Sequence, residues 1–232
     1  MAQLPLDLKL DALALFDSFV TESNAAAVAH VQALASGSRS DTVWLSAPSG
    51  CGKSHLLQAA CRTASLAGRR TMYLPLDSSD QIEPDLLQGL ESVDLLALDR
   101  VDIVARNTNW EQRLFTVLDA FQTAPGGLIM AARDIPTAIE FSLPDLASRA
   151  AGAVVYRLSG LSESGCVHAL TNRARLRGLE LDAATARYLL HRVDREMTVL
   201  CRWLDRLDRA SLVEQRRLTV PFIRKTLASE AE

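Results

Sequence analysis

Ala47-Pro-Ser-Gly-Cys-Gly-Lys-Ser54 decides how the rest of this chain is read. The run before it, Thr42–Ala47, is apolar and β-branched, and His55–Ala67 after it has the apolar spacing of a helix. A glycine-rich turn between a strand and a helix, closed by Lys and a hydroxyl residue, is the pattern of a phosphate-binding loop. Gly50 and Gly52 let backbone N–H groups point inward at phosphate oxygens, and the helix N-terminus adds its partial positive charge. Lys53 reaches the β-phosphate and Ser54 offers a hydroxyl to Mg2+. Pro48, Ser49, Cys51 and His55 complete the nucleotide-contacting set. A helix N-terminus can lower a thiol's pKa and make it a redox switch, but at Cys51 a small loop-filling side chain is the simpler reading. The pattern's first glycine is Ala47 here, which asks whether that backbone position needs a positive φ.

Outward from the loop, Arg70–Leu76, Val93–Asp99, Gly127–Ala132 and Ala153–Leu158 also read as strands bounded by Gly, Pro, Asp or Ser. They alternate with helix-length amphipathic stretches, which implies an α/β fold with a five-stranded parallel sheet flanked by helices. After Ser159 the strands stop. Glu163–Arg177, Ala183–Val193, Glu196–Glu214 and Val220–Ser229 have helical spacing, with Ser162, Asp182 and Thr219 as N-caps and Gly178 as a stop. The expected organisation is a peptide over residues 1–10, an α/β domain over 11–160 and a small all-helical domain over 161–232.

The run Leu95-Leu96-Ala97-Leu98-Asp99 delivers one carboxylate to the sheet's C-terminal edge beside the phosphate loop, where Asp99 can support the Mg2+. Nucleotide hydrolases commonly follow such an Asp with a second acid that positions the attacking water. Here the next residue is Arg100, and a cation cannot do that work. The site is expected to hold a nucleotide well and hydrolyse it poorly unaided.

Composition narrows the classes. With 48% apolar and 23% charged residues over 232, the chain is globular and neither disordered nor collagen-like. No apolar run approaches the ~18 residues of a membrane span. Asp7, Asp11 and Asp17 crowd a start without a basic, then apolar, pattern, so no signal peptide is read and a cytoplasmic protein is expected. Cys51, Cys61, Cys166 and Cys201 form no CxxC pair, and His30, His55, His168 and His191 have no metal spacing. The net charge of −3 hides an asymmetry: residues 1–148 hold 10 basic and 18 acidic side chains, residues 149–232 hold 15 and 10. Arg173 and Arg177 can share a helix face, which reads first as a solvated surface. Trp110, Phe115 and Phe121 read as core. Gln3-Leu4-Pro5-Leu6-Asp7-Leu8, with three leucines at alternating positions outside the domain, suggests a docking peptide.

These residues together resemble the AAA+ family, in its initiator-like clade around DnaA, over nearly the whole chain. Phe16-Asp-Ser-Phe19-Val20 followed by Asn24 is similar to the initiators' entry segment, which packs on adenine, and Ser49–Cys61 to their phosphate loop and helix. Ala132-Arg-Asp134 falls where the family has its sensor 1 polar residue, and Asp134 is the match. Leu143-Pro-Asp-Leu-Ala-Ser-Arg149 resembles the segment carrying the arginine finger. Asp194-Arg-Glu-Met197, starting the lid's long helix, matches the sensor 2 region, with Arg195 toward the phosphates. Gln3, Leu4, Leu6 and Leu8 match the peptide with which family members dock on the replication sliding clamp, although Asp7 stands where a proline is more usual.

The resemblance implies an ADP-bound (or ATP-bound) regulator with Mg2+ that docks on the DNA-loaded clamp of DNA polymerase III. Its Arg149 would then stimulate hydrolysis of DnaA-bound ATP in trans, a replication-inhibiting activity at the nucleoid. It also implies DNA contact only through the clamp and allows a homodimer; the separate helix-turn-helix domain of an initiator is not expected after the lid. Two other readings stay open: a self-sufficient AAA+ ATPase such as a helicase loader, and a non-catalytic clamp-anchored adaptor.

Overall fold

The computed structural model describes residues 11–78, 83–123 and 125–229. Five strands, β1 (Thr42–Ser46), β2 (Thr71–Pro75), β3 (Leu95–Asp99), β4 (Gly127–Ala132) and β5 (Val154–Arg157), form one parallel sheet in the order β2-β3-β4-β1-β5. Helices α1 (Ala25–Ser36), α2 (Lys53–Leu66), α3 (Thr108–Phe121) and α4 (Pro144–Ala151) accompany the sheet. Four helices follow: α5 (Glu163–Leu176), α6 (Ala183–Leu190), α7 (Met197–Glu214) and α8 (Val220–Ala228). Among the described residues the chain divides into two compact units. One comprises residues 11–16, Ser23–Pro48 and Lys53–Ser159; the other comprises Asp17–Glu22, Ser49–Gly52 and residues 160–229.

The sheet follows from side-chain alternation. Every residue of β3 and β4 is buried, as expected for central parallel strands covered on both faces. Trp44, Leu74, Leu96, Leu98, Leu128 and Met130 point to one face and pack with Leu114, Val117, Leu118 and Phe121 of α3 and Leu146 and Ala150 of α4. Trp110 and Phe121 are fully inside this cluster and Phe115 packs against it, so the aromatics are core. Each such buried side chain contributes about 1.5–3 kcal/mol. The alternate residues Val43, Leu45, Leu95, Ala97, Ile129 and Ala131 are equally buried on the other face.

The strand order puts β1 between β4 and β5, while the chain leaves β1 toward β2 at the far edge. The C-terminal end of β1 is therefore a topological switch point, the crevice where open α/β sheets bind ligands. The observed strands are up to two residues shorter than their apolar runs, except β4, which matches. The helix after the glycine-rich loop begins at Lys53, two residues before His55, because the left-handed Gly52 ends the turn directly into the first helical turn.

In the second unit one apolar cluster joins all four helices, with Leu170, Leu189, Leu190, Leu200, Leu204, Leu207 and Ile223 at its centre. Ser162 and Asp182 cap α5 and α6 through their side chains, accepting from Gly165 N at 3.0 Å and Thr185 N at 2.7 Å. Thr219 occupies the N-cap position of α8 but makes no side-chain cap bond; Pro221 fixes that start instead. Gly178, at φ +75°, stops the helix after Arg177. Among the described residues no helix is long and apolar enough to cross a membrane.

Candidate functional site

The question raised by Ala47 has a direct answer. Gly50 and Gly52 have φ of +77° and +89°, while Ala47 is not among the positive-φ residues and its N–H continues the β1–β4 ladder to Ala132 O at 3.3 Å. The first loop position is extended and tolerates a methyl group; only the two inner glycines are required by conformation.

In the first unit, Lys53 Nζ donates to the carbonyls of Ala47 (2.5 Å) and Pro48 (2.9 Å), so the ammonium curls back over the entry to its own loop. Ser54 lies in the first turn of α2 and His55 Nε2 donates to Leu15 O (2.8 Å), tying residues 11–15 to α2 together with the Asp11 N–H, which donates to Gln58 Oε1 (2.7 Å). Asp99 ends β3 with 2% exposure. Its Oδ2 accepts from the Tyr73 hydroxyl at 2.9 Å, and its Oδ1 is buried with no hydrogen-bond partner. Burial, and then the adjoining Asp99 carboxylate, push the Tyr73 phenol well above its usual range. Tyr73 therefore stays a neutral donor and fixes one carboxylate oxygen.

An orphaned buried carboxylate oxygen is costly unless something binds there. The donors at hand are hard oxygens, Asp99 and the Ser54 hydroxyl, and no group of three or more metal-ligating side chains occurs among the described residues. That set fits Mg2+, which typically takes one or two protein oxygens and fills its shell with phosphate and water.

Arg100 sits at φ 59°, ψ 47°, in the left-handed region, with its guanidinium turned to Asp77 at 3.1 Å. The position after Asp99 thus offers a cation paired to an acid. Asp134, just beyond β4, has an exposed side chain, and its carbonyl accepts from Trp44 Nε1 at 3.0 Å. Arg149 is in the last turn of α4, where Nη2 meets Asp119 Oδ1 at 2.7 Å and Nη1 donates to Gln122 Oε1. Asn24 exchanges two bonds with Ser159, 3.0 Å to its carbonyl and 2.9 Å from its N–H.

In the second unit, Phe19 lies against the glycine-rich tip: a Cβ on Gly52 would meet its Cε2 at 2.6 Å. Val20 follows it in the same short segment, which is held by Glu22 accepting from Ser162 N (3.0 Å) and Oγ (2.6 Å). Ser49 donates to Glu196 Oε1 at 2.7 Å, and a Cβ on Gly50 would run into Glu196 Cγ. Arg195 lies in the loop before α7, which starts at Met197 with Glu196 as N-cap, one residue after the expected start at Glu196, and it faces Glu163 at 3.8 Å. The backbone stays extended at Glu196 (φ −63°, ψ 126°), which delays the helix. Cys51 is half-buried within the loop. Gln3, Leu4, Leu6 and Leu8 lie outside the described residues.

Sequence reasoning passed over Tyr73, Glu111, Asp119, Gln122 and Glu196. Tyr73 and Glu111 carried a usable signal, a polar group inside an apolar strand or in the buried stripe of a helix; the other three read as ordinary surface.

A parallel five-stranded sheet with this loop after its first strand, followed by a helical lid, makes the chain an AAA+ module. The family model described as the bacterial DnaA ATPase domain matches residues 10–157, and that described as the lid domain of Hda matches residues 163–227. The chain belongs to the DnaA ATPase family, and its two matches in tandem are those of Hda, a DnaA-like AAA+ protein. Among solved structures, domain III of the Thermotoga maritima replication initiation protein DnaA is 18% identical, with 95% of this chain and 98% of that chain covered and a TM-score of 0.80. A replication initiator DnaA bound to AMPPCP and single-stranded DNA is 24% identical over 88% and 70% of the two chains, with a TM-score of 0.68. The Thermotoga maritima RuvB Holliday junction branch migration motor shares the fold at 17% identity, 95% and 72% coverage and a TM-score of 0.71.

Proposed function

We propose that this chain is a nucleotide-holding regulator of DnaA that acts in trans: it keeps ADP (or ATP) in its own loop, docks on the DNA-loaded sliding clamp and offers Arg149 to ATP bound by DnaA. Lys53, the N–H groups around Gly50 and Gly52, and Ser54 would hold phosphates; Phe19 and Val20 would flank the base; Asp134 and Arg195 would sense the phosphates. Mg2+, held by Ser54 with Asp99 behind it, would supply charge neutralisation at the phosphates. Gln3, Leu4, Leu6 and Leu8 would supply the tether.

The observation that carries this reading is the contrast between Arg100 and Arg149. The position that should orient a water beside Asp99 presents a cation bound to Asp77, which favours holding over hydrolysis. Arg149, by contrast, is a partly exposed cation at a helix end, and an arginine supplied in trans accelerates phosphoryl transfer by roughly 10³–10⁵. The DnaA-family match supports DnaA itself as the partner. The test measures hydrolysis of DnaA-bound ATP with DNA-loaded clamp present: the stimulation should disappear both in Arg149→Ala and in a Gln3/Leu4 double substitution. Stimulation surviving Arg149→Ala would end the trans-arginine reading.

A further inference from the structure

Helix α3 is more than a layer over the sheet. It meets the segment of Arg149 at two levels. In its first turn, Glu111 is fully buried, and its carboxylate accepts from the backbone N–H groups of Arg106 (2.6 Å), Ser142 (2.9 Å) and Leu143 (2.7 Å). Ser142 and Leu143 lead into α4, and Leu143 is its N-cap residue, so Glu111 fixes where α4 begins. Two turns later, Asp119 and Gln122 take the guanidinium of Arg149 at the other end of α4. Between these levels Leu146 and Ala150, one turn apart, seat α4 on the cluster formed with Leu114, Val117, Leu118 and Phe121. The two helices run in the same direction, joined at both ends by polar contacts and in the middle by apolar ones.

The lower contact is what a buried loop anchor needs. The upper one is not demanded by burial, because Asp119 and Arg149 keep 53% and 39% of their side-chain surface in water. Two acceptors on successive turns grip both Nη atoms of one side chain whose freedom would otherwise be large. A guanidinium carries five N–H donors, so two acceptors on one side leave donors for an incoming anion.

We propose that Asp119 and Gln122 are positioning residues for Arg149: they hold its guanidinium in the pose in which it meets a phosphate presented by another protein. This rests on the trans-arginine reading above. Held in place, the cation does not spend rotamer freedom at the moment of reaction, which acts on the rate at saturation and not on partner affinity.

The test uses the full chain with ATP-bound DnaA and DNA-loaded clamp, measuring the maximal hydrolysis rate and the half-saturating concentration separately. Asp119→Ala/Gln122→Ala should lower the maximal rate roughly 5- to 30-fold, from the loss of one exposed contact up to the full rotamer freedom of an arginine. Half-saturation should stay unchanged, and Asp119→Asn, which keeps an acceptor, should recover most of the rate. Both residues are exposed, so the thermal transition should match the parent chain. A maximal rate equal to or above that of the parent would overturn the proposal, making the pair a bystander or a brake. Arg149→Ala, run alongside, separates the two ideas: if it too keeps the full rate, the trans-arginine reading has failed and the positioning role with it; if it alone loses the rate, only the positioning role has.

Discussion

Asp99 and Arg149 are the two charged groups on which this account turns, and the first unit builds them in opposite ways. Asp99 ends a strand buried throughout, one oxygen held by Tyr73 and the other facing no partner. Arg149 stands at a helix end, partly in water, with both Nη atoms engaged by exposed side chains. A buried orphan is expensive and must be compensated by something that arrives; an exposed pair is worth under about 1 kcal/mol, enough to orient a guanidinium while its other donors stay open. On the proposed reading, one end retains a ligand and the other keeps a cation in place, with donors to spare, for a ligand held by another protein.

The largest expected effect is on the retaining end. Lys53→Ala should weaken ADP binding roughly 10- to 100-fold, the worth of a charge-assisted contact to phosphate, in a calorimetric titration with Mg2+ present. Unchanged affinity would mean that the loop does not hold the phosphates, and the contrast with Arg149 would lose its first half.

A buried anchor should also matter at the presenting end. Glu111→Ala removes the acceptor for three backbone N–H groups, two of them at the entry to α4, and should cost about 2 kcal/mol because water can reach part of that loop. The thermal transition would fall by roughly 4–8 °C. A fall no larger than that of Gln122→Ala would show that burial does not separate the two levels of the α3–α4 contact.

The smallest effect is a titration. Asp41 is held below the usual carboxylate range first by its bond from Arg39 and then by His30, and Asp182 first by the Thr185 N–H it caps. Each folded-state pKa is depressed, so each contribution is present above the ordinary value of about 3.9 and is lost as pH falls through the lowered folded value. Denaturant unfolding between pH 5 and pH 3 should show stability dropping, by under about 1 kcal/mol for each group given its exposure. Asp182→Asn keeps an N-cap and should flatten part of that slope while barely changing stability at pH 7; an unaltered slope would remove Asp182 from the acid-sensitive set.

Much of the fold was legible because burial forces pattern. Central parallel strands must be apolar on both faces, and the runs ending at Asp99 and Ala132 are; left-handed turns need glycine, and Gly50 and Gly52 stand where they are needed. The places of Lys53, Ser54 and Asp99 were legible for the same reason, since all three are tied to element ends. The presenting end was not, because exposed contacts leave no periodicity: nothing in the spacing of Asp119, Gln122 and Arg149 couples helices more than twenty residues apart. The start of α7 was legible to within one residue, Met197 for the expected Glu196, and only the extended backbone at Glu196 sets it there.

The central claim is that this chain turns over little nucleotide itself and makes DnaA turn over its own. The most direct measurement is the single-turnover hydrolysis of ATP pre-bound to DnaA, with DNA-loaded clamp, in the presence and absence of the chain. A rise of roughly 10³-fold or more is the result predicted for a supplied arginine; an unchanged rate, with ATP instead consumed by the chain alone, would contradict it.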